Sequence, residues 1–204
     1  MKRGLRTALI DRDERIKVER HKANEWRRIR SYGGLPDLRA VPFADHLRPM
    51  VLLSMNTGLR RGELFQLTWR CVDFDNAQLA VIGKTAKRLK TRYVPLNKEA
   101  LGVLRGWQSQ RPDSNGLVFP GKDGKSFNNT KKAWAGVLKV AQIKAFRWHD
   151  LRHHFASKLV MAAVDLNTVR ELLGHSDIKI TLRYAHLAPE HKAAAVARLV
   201  EDLT

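Results

Sequence analysis

The chain has 204 residues, 44% of them hydrophobic, enough to bury a core in one large domain or in one domain with an appendage. Lys and Arg number 38 against 20 Asp and Glu, a formal net charge of +18, and that excess suits a phosphate-binding surface better than an anionic membrane or plain solubility. Cys71 is the sole cysteine, which excludes an intrachain disulfide and a Cys-based zinc site and points to a reducing, cytoplasmic setting. The start MKRGLRTALIDRDERIK lacks a signal-peptide core and no run of about 18 apolar residues occurs, so neither secretion nor a membrane partner is expected.

In chain order, residues 7 to about 31 are dense in charge, with Leu9, Ile10, Ile16, Trp26 and Ile29 scattered among them, which predicts a mostly exposed, peripheral helix. From Phe43 to Met55 the apolar residues Leu47, Met50, Val51 and Met55 recur at helical spacing. Thr57-Gly58 interrupts that pattern, and Arg61 to Thr68 reads as a second helix that joins the first in the core. Residues 79 to 96 change character. LAVIG and RYVPL are short, partly β-branched runs flanking the basic stretch KTAKRLKT, which predicts a β-hairpin with a cationic tip.

Lys98 to Gln110 then reads as helix, GLVFPG as a short buried strand, and Lys131 to Ala141 as helix. Asp150 is placed to cap a helix running through Met161, Asp165 to cap one ending at Gly174, and Ser176 to cap the segment carrying Tyr184. Pro189 opens a last amphipathic helix with Val196, Val200 and Leu203 on one face. The whole is an α+β chain, mainly helical, with one small antiparallel hairpin or sheet.

Three islands stand out: NTGLRRGELFQLTW around Arg60, WHDLRHHFAS around His149 and Arg152, and LGHSDIKITLRYAHL around His175 and Tyr184. With the basic hairpin, they resemble the catalytic domain of the tyrosine recombinases, the phage integrase family. That family's patterns are TGLR-x-x-E, H-x-L-R-H and LGHS with a tyrosine nine residues after the His. Order and spacing match over roughly residues 40 to 204.

The resemblance implies a site-specific recombinase that cleaves and rejoins double-stranded DNA through a 3′-phosphotyrosine, needing neither metal nor any other cofactor. It implies Tyr184 as nucleophile and Arg60, Lys87, His149, Arg152 and His175 around it, with Glu63 in support. The chemistry is consistent with these types. A phosphodiester in displacement gathers charge on its non-bridging oxygens, which two guanidiniums can grip without losing their own charge. A phenol titrates near pH 10, so Tyr184 needs a base or a cationic pocket, and His149 and His175 are candidates. Glu63 lies one helical turn beyond Arg60, where it can hold the guanidinium.

The departing 5′ oxygen needs a proton, which the family takes from a lysine on the hairpin tip. Lys84, Lys87 and Lys90 all lie there, and the family's K-x-x-K-x-R-x-V-P pattern, here KRLKTRYVP, selects Lys87. Lys84, Lys90 and Arg92 are expected to touch DNA alongside Arg60 and Arg152. Gly83-Lys84-Thr85 resembles the end of a nucleotide-binding loop, but the required first glycine falls at Gln78. His149, His153, His154 and His175 make a poor zinc set without usable Cys partners, and His153 and His154 read as core or helix-packing residues.

The alternative is a non-catalytic helix-turn-helix regulator formed by residues 159 to 187. It has no use for Arg60 and Glu63 so far upstream. The domain reading is a charged helical extension or linker over 1–42 and the catalytic domain over 43–204, the family's core-binding and arm-binding domains being absent. Such a fragment is expected to be a monomer, and the full-length protein a tetramer on synapsed DNA, of bacterial or phage origin. Its affinity for DNA should fall steeply with salt.

Overall fold

The computed structural model describes residues 2–20, 43–83, 91–110, 116–121 and 124–188. Its helices are α1 (Lys2–Arg20), α2 (Leu47–Thr57), α3 (Arg61–Phe65), α4 (Lys98–Ser109), α5 (Lys131–Val140), α6 (Asp150–Met161), α7 (Leu166–Leu173) and the single turn α8 (Lys179–Leu182). Three short strands, β1 (Val72–Asp73), β2 (Gln78–Val81) and β3 (Arg92–Pro95), form an antiparallel sheet in that order. The fold is therefore mainly helical with one small sheet, as the sequence predicts. The β2–β3 register pairs Leu79 with Val94 and Val81 with Arg92, so the tip residues Lys84, Lys87 and Lys90 belong to the hairpin connection and lie outside the described residues.

Helix α2 is the central rod. Leu47, Met50, Val51 and Leu53 are fully buried on it, and each such side chain contributes about 1.5–3 kcal/mol of transfer free energy. Pro49 falls in its first turn, where the backbone N–H would have no helical partner in any case. Around α2 pack α4, whose Ala100, Val103, Leu104 and Trp107 are buried at i, i+3, i+4, i+7 spacing, and the inner face of the sheet through Leu79, Val81 and Val94. A second, smaller cluster joins Ala156 and Val160 of α6, Val169 and Leu173 of α7, and the ring of Tyr184. Leu151 belongs to the large cluster and Ala156 to the small one, so α6 bridges the two with Arg152 at the junction.

Several local expectations are amended. Helix α1 starts at Lys2 and is docked: Leu5, Ala8 and Leu9 are buried, and Asp13 lies at 0% exposure against Arg48 of α2, with Nε to Oδ2 at 2.8 Å. The pattern hid this because the buried stripe is narrow and its polar member is paired in space. Trp26 and Ile29 lie outside the described residues, as does the helix expected after Pro189. GLVFPG is no strand. Val118 and Phe119 are buried there, but pairing is limited to single bridges, Thr68 with Leu117 and Pro120 with Ser126.

Of the three proposed caps, only Asp165 accepts the expected bond, from Thr168 N at 2.9 Å. Asp150 sits inside the first turn of α6 and accepts from Arg147 N instead, with His149 at the cap position. Ile178, not Ser176, precedes α8.

Candidate active site

Two helix ends build the site. Helix α2 stops at Gly58 and α7 at Gly174, both in the left-handed region with φ of 62°. An added Cβ at Gly58 would lie 2.4 Å from Phe155 Cδ1, and one at Gly174 would lie 2.9 Å from Arg92 Cδ. Glycine is required at both positions for conformation and for space. The carbonyl ends of two helices, each carrying partial negative charge, thus meet beside α6.

Arg152, 3% exposed, spans them, donating from Nη1 to Gly58 O at 2.7 Å and from Nη2 to Leu173 O at 2.5 Å. Arg60 donates from Nη2 to the next carbonyl, Gly174 O, at 3.0 Å. The two guanidiniums, 92 residues apart in sequence, therefore hang on consecutive peptide groups. Burial, with Arg60 alongside, pulls Arg152 down to about 9, which still leaves it charged at neutral pH.

Glu63 organises the arginines. Its Oε2 accepts the backbone N–H of Arg60 at 2.8 Å, the N-cap to N3 bond of a capping box, while Oε1 accepts from Arg60 Nη1 at 2.9 Å. The same carboxylate receives Arg92 of β3 in a bidentate pair, at 2.9 and 2.8 Å, and Arg92 Nε also donates to Leu172 O at 3.1 Å. Burial alone would raise the Glu63 carboxyl. The bonds and charge of Arg92, then those of Arg60, override it and hold Glu63 at about 2. Arg92, assigned from sequence to DNA, has its guanidinium turned onto Glu63 and α7, so it ties the sheet to the site.

His175 follows Gly174, with Nδ1 2.8 Å from the hydroxyl of fully buried Thr181. Burial first, then Arg152 and Arg60, push the imidazole down to about 4, so it is neutral at physiological pH. Tyr184 is 6% exposed, and burial raises its phenol above the ordinary value despite Arg183 and Arg152 nearby. His153 Nδ1 lies 2.5 Å from Tyr184 Oη. That contact departs from the packing role read for His153 from sequence. The HDLRHH run marks the residue, but nothing in the pattern says which of its histidines meets a tyrosine 31 positions later. His149 is exposed at the start of α6, its ring edge-on to His153 with centroids 4.8 Å apart.

The structure thus brings Arg60, Glu63, Arg92, Arg152, His175 and Tyr184 together and sets His149 one ring away, while Lys84, Lys87 and Lys90 lie outside the described residues. Among the described residues no three His, Cys, Asp or Glu side chains group as a metal site, and no helix is long and apolar enough to cross a membrane. Arg60 and Arg152 thus place positive charge beside the buried phenol of Tyr184, an arrangement suited to binding a phosphate group.

The family model described as the phage integrase family matches residues 37–191. The tyrosine recombinase XerC of Xanthomonas campestris pv. campestris (strain B100) is 38% identical over 164 residues, covering 75% of this chain and 48% of the relative. The XerC of Xylella fastidiosa (strain 9a5c) is 37% identical over 152 residues, covering 72% and 50%. Among solved structures, the catalytic domain of bacteriophage HP1 integrase superposes with a TM-score of 0.58 at 30% identity, over 74% of this chain and 80% of that one. The chain spans about half the length of the XerC relatives it matches.

Proposed function

The chain belongs to the phage integrase family, and from that premise we propose that it is a site-specific recombinase that breaks and rejoins duplex DNA through a covalent bond between Tyr184 and a 3′ phosphate. The observation that carries this reading is the pair of guanidiniums on adjacent carbonyls, Arg152 on Leu173 O and Arg60 on Gly174 O, in the same segment that continues through His175 to Tyr184. Each guanidinium carries five N–H donors, of which two are bonded to protein acceptors among the described residues, which leaves donors for phosphate oxygens.

In this mechanism Arg60 and Arg152 grip the non-bridging oxygens of the scissile phosphate and stabilise their growing charge. His175, neutral and oriented by Thr181, adds a further hydrogen bond, and His149 lies at the solvent side of the same group. Tyr184 Oη attacks phosphorus, the 5′ oxygen departs, and Lys87 supplies its proton, Lys84 and Lys90 being the other lysines of the same basic stretch of sequence. The bond energy is kept in the phosphotyrosine, so a 5′ hydroxyl can reverse the step without ATP.

The test is incubation with a duplex carrying a 5′-bridging phosphorothiolate at the cleavage position, its site obtained by enrichment from random-sequence DNA, followed by denaturing electrophoresis. Wild type should give a protein–DNA adduct and Tyr184→Phe none, with retarded but non-covalent DNA in both and affinity that falls steeply with salt. Equal results for the two proteins would overturn the reading. Retention of sequence-specific binding without any adduct would favour the helix-turn-helix regulator instead.

A further inference from the structure

The phenol of Tyr184 is buried, and burial makes its proton harder to lose. An attack at neutral pH therefore requires a group that takes the proton as the new bond forms. Among the described residues, the side chain at hydrogen-bonding distance from Oη is His153, at 2.5 Å, with ring centroids 5.9 Å apart. His149 touches His153 rather than the tyrosine, and the Nδ1 of His175 is taken by Thr181.

We propose that His153 is the general base of the reaction, accepting the Tyr184 proton during cleavage and returning it during rejoining. This deepens the strand-transfer reading and rests on it. In cleavage, the Oη–H proton passes to Nδ1 while an Oη electron pair forms the bond to phosphorus. The bond from phosphorus to the 5′ oxygen breaks, its electron pair leaves with that oxygen, and the oxygen takes a proton from a separate acid, the part given to Lys87. Rejoining reverses each transfer. His153 touches a reacting atom, so it is a catalytic residue in this scheme.

Its surroundings suit the task. Burial favours the neutral ring, so Nδ1 can hold a bare lone pair toward the hydroxyl. The charge of Asp150, one turn earlier on α6 and bonded to Arg147, steadies the imidazolium that forms, while Arg147, Arg152 and His149 and, beside Tyr184, Arg183 oppose it. The proton is thereby held weakly enough to be given back.

The experiment measures single-turnover adduct formation on the phosphorothiolate duplex. Its sulfur leaving group needs no protonation, so loss of the acid is bypassed and loss of the base is not. With folding and DNA binding checked by thermal melting and gel retardation, His153→Ala should slow adduct formation about 100-fold or more. Added imidazole should restore part of the rate. His153→Asn, which keeps a hydrogen-bond acceptor near the Nδ1 position but cannot carry the proton, should stay slow.

The wild-type rate should rise through the imidazole range and level off, whereas the Ala variant should keep rising with hydroxide. A His153→Ala rate equal to or above wild type would overturn the proposal, the second result identifying the contact as one that parks the tyrosine. Full recovery in His153→Asn, or no imidazole rescue in a folded Ala variant, would also overturn it. If wild type itself forms no adduct while binding the duplex, the strand-transfer reading fails first and takes this proposal with it.

Discussion

Glu63→Gln is the most diagnostic single change in the scaffold of the site. The carboxylate accepts four bonds, two from Arg60 and two from Arg92, and its side chain is only 20% exposed. A carboxyl held at about 2 in place of the ordinary 4.5 stabilises the fold at neutral pH. At about 1.36 kcal/mol for each pH unit of displacement, the contribution is about 3 kcal/mol. Glutamine keeps the shape but turns an amide N–H₂ toward guanidinium donors, so little of that survives.

With a urea m value of about 2 kcal/mol/M, the unfolding midpoint should drop by about 1.5 M. Tryptophan fluorescence can follow the transition. The folded pKa is depressed, so the contribution is present above pH 4.5 and lost as pH falls toward 2. The gap between wild type and variant should therefore be full at pH 7 and narrow clearly at pH 3. Equal midpoints at pH 7, or a gap unchanged at pH 3, would refute the claim that Glu63 is the charged hub of the pocket.

Gly174→Ala should cost about 1–2 kcal/mol from the left-handed backbone alone. Because its Cβ would press on Arg92 Cδ, it should also cut adduct formation more than a surface substitution of equal stability cost. Chemical denaturation and the adduct assay, run in parallel, check this. Arg48→Ala removes the guanidinium nearest the buried Asp13 carboxylate, leaving the Ala44 N–H and the longer Arg12 contact, and should loosen α1, at a cost of about 3 kcal/mol, read as faster proteolytic cleavage within residues 2–20. Asp13 is itself raised to about 6 by burial. Its protonated form favours the docked helix below about pH 4, and that contribution is lost as pH rises through 6, so α1 in wild type should exchange its amide hydrogens faster at pH 7 than acid catalysis and base catalysis of exchange alone account for.

Much of this was legible beforehand because it is local. The i, i+3, i+4 stripes of α2 and α4 follow from helical period, and the hairpin follows from two β-branched runs around a basic turn. The grouping of Arg60, Arg152, His175 and Tyr184 is what the resemblance to the phage integrase family implies, carried by three motifs in the right order. The partners of these residues were not legible. Glu63 was read as a support for Arg60 alone, since only the neighbour one turn away is visible along the chain. Its second partner, Arg92, arrives from β3 through sheet pairing. His153 looked like packing because its contact depends on where α6 lies against the turn that ends at Tyr184. The docking of α1 was missed for the same kind of reason: Asp13 reads as a surface charge until Arg48 is seen beside it.

The carbonyl frame that holds the arginines also sets when the pocket can come into being. Its defining bonds join residues 94 apart for Arg152 and Gly58, 114 apart for Arg60 and Gly174, and 80 apart for Arg92 and Leu172. Contacts of that separation demand closure of long loops and form late. During synthesis, which proceeds at about 5–20 residues per second, a ribosome-bound chain can have α2 and α4 packed while Arg60 still lacks the peptide that aims it. The arginine frame thus stays incomplete in the nascent chain until the segment from α7 to Tyr184 has emerged and docked.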